Sequence, residues 1–149
     1  GLKAGVVAPT WPDINGQVAP NITVYQGKAM PLGSALVNNP IAIHVVHRGL
    51  AYLIAVLILV WTIGALKQKR SRTFNAVKWW PLFFVMVQIF LGVMSVLTSY
   101  KAVPQGWGPF EWYAQLHQVV ALFLLLALIN VLYLLRYQKA RYSTVGIAS

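Results

Sequence analysis

Three long apolar stretches dominate the pattern of this chain, and polar or turn-forming residues fill the intervals between them. The first, Ile41 to Leu66, is interrupted only by His44, His47 and Arg48 near its start. The second runs from Trp79 to about Tyr100 and opens on Trp79-Trp80-Pro81, where a proline is tolerated because first-turn nitrogens have no partner within a helix. The third runs from Trp112 to about Leu135 and includes the nearly unbroken Val119–Ile129. Each holds about 22–26 residues, enough at about 1.5 Å per residue to cross a hydrocarbon core of about 30 Å. The pattern predicts three spanning α-helices. Residues 1–40 differ: Gly5, Pro9, Pro12, Asn15-Gly16, Pro20, Gly27, Pro31, Gly33 and Pro40 break them into runs too short to span. They read as one long ordered loop on a membrane face.

Composition strengthens this reading. The 149 residues are 58% hydrophobic and 9% charged, against roughly 45–50% and 25% in soluble domains. So few charges do not clothe a water-facing surface, and the bulk of the chain must face lipid or other protein. The expected fold class is an all-α membrane protein, a transmembrane helical bundle with three spanning helices. Three make a poor closed bundle, whereas four enclose a buried cofactor. Residues Gly1 to Gly5 are therefore expected to be the outer end of a preceding helix not included in the sequence.

Charge then adds direction. The net charge of +10 comes from 12 Lys and Arg against two acids, Asp13 and Glu111. Nucleic-acid binding would need a basic face on a soluble fold and a recognition motif, and neither accompanies the charge. Lys67, Lys69, Arg70, Arg72 and Lys78 lie between the first two helices, and Arg136, Lys139 and Arg141 follow the third. If all three helices cross, both groups fall on one side, which the excess of basic residues marks as cytoplasmic. The other side carries Lys3, Lys28 and Lys101. The expected organisation is an extracytoplasmic loop at 1–40 and a transmembrane bundle at 41–149. Its basic loop 67–78 and tail 136–149 would be cytoplasmic, in a multi-pass protein of the cell (inner) membrane. Trp11, Trp79, Trp80, Trp107 and Trp112 sit near the water boundaries, as interfacial aromatics do.

The absence of cysteine excludes disulfides, thiolate metal sites and covalent heme attachment through a CxxCH motif. It leaves histidine-held heme open. His47 is the seventh residue of its predicted helix and His117 the sixth of its own, and both helices run outside to inside. Two imidazoles at one depth, roughly 8–9 Å below the outer helix ends, can reach opposite faces of one metal. The bland alternative is that each is a hydrogen-bonded helix-end residue, although ionisable groups at membrane depth usually mark function. His44, one turn nearer water than His47, is a rival ligand, a supporting partner or a propionate contact. Arg48 is the one charged residue inside a span, and needs either an anion such as a heme propionate or a route to the headgroups.

Gln115 and Gln118 flank His117 and either orient a ring or mark a polar helix end. Gly92, Ser95 and Ser99 form a small-residue stripe that suits close helix packing and also makes room for a flat macrocycle. Gln88 and Asn130 read as interhelical hydrogen-bond partners. There is no carboxylate pair, Ser/His/Asp set or phosphate-binding glycine loop, so the chemistry must come from a cofactor or from a part not present.

Several segments also resemble a known family. Gly1-Leu2-Lys3-Ala4-Gly5, Thr10-Trp11-Pro12-Asp13-Ile14-Asn15-Gly16 with Pro20, His47-Arg48 with Ala51-Tyr52, Gln88 through Ser95, and Leu116-His117-Gln118 with Ala121 together resemble the C-terminal half of the heme A synthase (CtaA) family. The ordered set spans nearly the whole chain. The resemblance implies half of a duplicated four-helix-bundle architecture and an oxidoreductase that converts the heme O methyl group to the formyl group of heme A for cytochrome oxidase assembly. It implies heme b held between His47 and His117 as axial ligands of the iron, while the N-terminal half would carry the catalytic glutamate. The implied partners are membrane lipid, that N-terminal half, heme O as substrate, and an electron donor or heme O synthase. Some family members carry a cysteine pair in outer loops, and this chain departs from them there. Two further readings stand beside this one: a non-catalytic cytochrome b subunit for electron transfer, and a heme-free scaffold in a respiratory assembly.

Overall fold

The computed structural model describes residues 4–68, 70–103 and 106–145. Lys3 and Lys69, and the opening Gly1-Leu2-Lys3 of the expected preceding helix, lie outside the described residues, as do the side chains of Lys139 and Arg141.

Residues 4–39 are more structured than a plain loop. After a 3₁₀ turn at Ala4–Val6, the backbone reverses at Asn15-Gly16, closed by an isolated bridge between Ile14 and Gln17. A second reversal at Gln26-Gly27 joins β1 (Val24–Tyr25) to antiparallel β2 (Lys28–Ala29), with Val24 opposite Ala29 and Tyr25 opposite Lys28. Asn15, Gly16, Gln26 and Gly27 all have positive φ, 53°, 83°, 51° and 76°. That is the conformation a two-residue hairpin turn demands and Asn-Gly readily supplies. A short helix, α1 (Leu32–Asn38), leads to Asn39.

Asn39 is fully buried and joins this region to the first long helix, α2 (Pro40–Leu66). Its Oδ1 accepts the Ile41 N–H at 2.9 Å, capping α2, while Nδ2 donates to the Ile22 carbonyl at 2.7 Å. Pro40 occupies the first turn, where its missing N–H costs no hydrogen bond. The basic connection after α2 contains a short helix, α3 (Arg72–Val77), capped by the Ser71 hydroxyl. Phe74 of α3 packs against Ala65 of α2 and Val131, closing this end of the bundle. The remaining long helices are α4 (Trp80–Thr98) and α5 (Pro109–Val145). Helix α5 continues past the expected end near Leu135, so the first part of the predicted basic tail is helical rather than a separate segment.

Among the described residues, three helices are long and apolar enough to cross a membrane, and the chain is an all-α membrane protein. Large apolar side chains such as Leu57, Val60, Phe90, Leu122 and Leu132 stand exposed along them, as lipid-facing residues do. Helices α4 and α5 pack together along their length; α2 meets α4 over a shorter stretch and barely touches α5. The space between α2 and the α4–α5 pair is lined by Gly5 and Trp11 where residues 4–39 meet the bundle.

Candidate functional site

That space is a cleft of about 560 Å³, within the range of about 300–1,000 Å³ common for small-molecule and cofactor sites. Its walls are mainly aliphatic, from residues such as Ile54, Val85, Ile89 and Leu124. His44, His47, Arg48, Gln88 and His117 supply its nitrogen-bearing groups, together with Trp11 at the mouth. Matched helix starts set the depth of the two central histidines. His47 is the eighth residue of α2, counted from Pro40, and His117 the ninth of α5, counted from Pro109. Their rings are neighbours across the gap between α2 and α5, with centroids 6.2 Å apart and planes crossing at 69°.

This separation can be tested against a metal. A first-row metal–imidazole bond is about 2.0–2.1 Å long. The centre of a five-membered ring with sides of about 1.33 Å lies roughly 1.1 Å behind the ligating nitrogen. Two imidazoles on opposite faces of one iron therefore have centres about 6.2–6.4 Å apart. The pair meets that requirement.

His117 is also prepared in its proton placement. Its Nδ1 lies 3.0 Å from the backbone carbonyl of Gln88. A carbonyl only accepts, so Nδ1 carries the proton and Nε2 keeps the lone pair that a metal needs. This is the usual way an outer partner fixes the tautomer of a ligating histidine. Gly92, one turn along α4 from Gln88, makes the approach possible. A Cβ there would lie 3.0 Å from His117 Cε1 and 3.4 Å from Nδ1. The sequence placed Gly92 in a small-residue stripe, and the ring of His117 is what that missing side chain accommodates.

The other predicted residues divide. His44 is buried and lines the cleft one turn from His47. Arg48 turns toward residues 8–13: Nη1 donates to the Asp13 carbonyl at 2.7 Å, and Nη2 to the carbonyls of Thr10 at 3.0 Å and Ala8 at 3.3 Å. Gln88 joins helices through its backbone rather than its side chain. Among the described residues, Gln88 Oε1 and Arg48 Nε are buried polar atoms without a partner. Gln115 and Gln118 are exposed. Asn130 lies in a smaller hollow with Trp80, Phe84 and Phe123.

Both acids serve the loops. Glu111 accepts the N–H groups of Val103 and Gly108 at 2.8 Å each. Asp13 Oδ1 accepts the Gly16 N–H at 3.0 Å, and hydrogen bonding from Thr10 and then Gly16 holds its carboxyl below the usual carboxylate range. No group of three or more His, Cys, Asp or Glu suited to a metal ion occurs among the described residues. Two histidines suffice, however, where a macrocycle supplies the other ligands. The site can hold a two-histidine cofactor, and neither acid is placed for proton transfer within it. Sequence reasoning missed Trp11 and Tyr52 as wall residues; the aromatic residue in each motif was the available signal.

Known proteins resemble this chain over most of its length. The family model described as cytochrome oxidase assembly protein (COX15-CtaA) matches residues 1–129. Among curated relatives, the heme A synthase of Pelagibacter ubique is 30% identical over 136 residues, 89% of this chain and 35% of its own length. That of Bartonella quintana is 30% identical over 125 residues, 84% of this chain and 32% of its own. That of Sinorhizobium medicae is 34% identical over 108 residues, 72% of this chain and 28% of its own. The chain thus spans about a third of the length of these relatives. No solved structure matches it.

Proposed function

The chain belongs to the COX15-CtaA family of cytochrome oxidase assembly proteins, and on that premise we propose that it is the C-terminal, heme b-binding half of a heme A synthase. The activity of the whole would be oxidation of the heme O methyl group to the formyl group of heme A. His47 and His117 would hold the heme b iron. The observation that carries this reading is their 6.2 Å ring separation beside an aliphatic cleft. The His117 tautomer set by the Gln88 carbonyl and the space left by Gly92 support it.

When bound, heme b supplies one-electron redox chemistry that none of these side chains offers alone. The chain's own residues do the rest. The two histidines would hold the iron, the Gln88 carbonyl keeps the His117 proton on Nδ1, and the aliphatic walls would limit water at the cofactor. With Asp13 and Glu111 committed to backbone N–H groups, the proton transfers of the oxidation belong to the N-terminal half, together with heme O. That division also keeps a second reading in view, a cytochrome b subunit that only transfers electrons. The positive-inside pattern supports an orientation with residues 1–40 outside the cell membrane and the 67–78 connection and the C-terminus in the cytoplasm.

Heme extraction from the purified full-length protein, with separation of the A, B and O types, tests the proposal. Heme B together with heme O or A is expected. Heme B alone would favour the electron-transfer subunit, and a heme-free protein would overturn both readings.

A further inference from the structure

The segment from Val7 to Gln17 folds on itself before it touches the bundle. The Thr10 hydroxyl donates to the Asp13 carbonyl at 3.2 Å and accepts the Asn15 N–H at 2.7 Å, while Asn15 Nδ2 reaches back to the Val7 carbonyl at 3.0 Å. These bonds gather the carbonyls of Ala8, Thr10 and Asp13 so that one guanidinium meets all three. Ala8 is fully buried and Ile14 nearly so, so the segment is packed as well as hydrogen-bonded. Four residues beyond Arg48, on the same face of α2, the Tyr52 hydroxyl accepts the Trp11 indole N–H at 3.2 Å. The segment is thus fastened to α2 at two points one turn apart, and Trp11, Arg48 and Tyr52 all line the cleft.

We propose that residues 7–17 form the outer wall of the cofactor site and that Arg48 is a positioning residue, holding this wall through backbone carbonyls rather than gripping a heme propionate. Both of its terminal nitrogens are directed to the loop, where three converging carbonyl dipoles offset the charge of a cation inside a span, and of its guanidinium nitrogens only Nε is left without a partner among the described residues. The functional consequence rests on the heme b reading above. A wall that limits water at the cofactor favours the reduced, less charged iron, so loosening it lowers the midpoint potential.

Arg48→Lys keeps the charge but loses the fork, whereas Thr10→Val with Asn15→Ala is charge-neutral and dismantles the loop with Arg48 intact. In the full-length protein each is expected to lower the heme b midpoint by about 59 mV, a tenfold change for one electron. The three substitutions together should lower it no further than either set alone, because they break one unit. The paramagnetic resonance signature of the axial ligands should persist throughout. Backbone hydrogen exchange across residues 8–16 should quicken roughly ten- to hundred-fold in each variant, with or without heme.

A normal potential in the Thr10/Asn15 variant beside a lowered one in Arg48→Lys would overturn the proposal in favour of direct propionate pairing, as would additive shifts. Unchanged exchange in Arg48→Lys would overturn the clamp itself. A wild-type protein without heme b would overturn the functional reading, while the exchange experiment would still decide the clamp.

Discussion

Replacing Gly92 by alanine adds one methyl group where α4 comes closest to His117. The new carbon would lie 3.0 Å from Cε1 and 3.4 Å from Nδ1 of the ring, tighter than ordinary van der Waals contact between carbons at about 3.5–4.0 Å. Without a ligand the ring relieves the contact by shifting a few tenths of an ångström. Held by an iron on one side and by the Gln88 carbonyl at 3.0 Å on the other, the ring would have nowhere to go. Forcing a methyl group into a fixed contact costs about 1–3 kcal/mol, and the helix propensity gained by replacing glycine is the same with and without heme, so it cancels from the affinity. The penalty falls on the loaded state and corresponds to roughly a five- to hundred-and-fifty-fold loss of heme affinity. Heme titration into the apoprotein, followed by Soret absorbance, measures it. Gly64→Ala is the control, because its added carbon meets nothing within 4 Å. Equal heme affinity in Gly92→Ala and wild type, or an equal loss in Gly64→Ala, would refute the reasoning.

Other outcomes follow from the same contacts. Glu111→Ala should release the N–H groups of Val103 and Gly108 and lower the thermal midpoint while leaving the heme spectrum unchanged, as differential scanning fluorimetry beside absorbance will show. Phe74→Ala should weaken the closed end of the bundle by about 3 kcal/mol, read as a lower midpoint of unfolding in mixed micelles, because Phe74 is 1% exposed among Ala65 and Val131. The depressed carboxyl of Asp13 stabilises the loop fully above its unfolded value of about 3.9 and loses that contribution as pH falls through its lower folded value. Pepsin cleavage between residues 7 and 17, normalised to an unfolded peptide of that sequence, should therefore rise on acidification, and Asp13→Asn should abolish the pH dependence.

The spanning helices were legible because each long apolar run has only one way to satisfy its backbone in lipid, which is to form a helix. That His47 and His117 could meet was legible for the same reason: once the helix starts are fixed, position in the sequence sets position along each helix, and the two rings are neighbours. Rotation about each helix was not. That His117 points toward Gly92 and the Gln88 carbonyl depends on how α4 and α5 pack, and the lipid-facing sides of these helices are as apolar as their packed sides. The bonds of Arg48 were hidden differently. Its acceptors are backbone carbonyls 35 to 40 residues away, and a carbonyl leaves no mark on residue identity. The hairpins at Asn15-Gly16 and Gln26-Gly27 lay within a segment whose glycines and prolines announced turns but not what the turns joined, and α3 lay within a basic connection whose charges signalled orientation rather than local structure. Continuation of α5 to Val145 was obscured because hydropathy falls at Arg136 while the helical backbone does not stop there.

The central claim is that one iron sits between His47 and His117. Low-temperature electron paramagnetic resonance of the purified full-length protein, beside its His47→Ala and His117→Ala variants, tests it most directly. A low-spin bis-histidine heme b signal in the wild type that disappears in both variants is the predicted result. A wild-type signal that survives either substitution would contradict it.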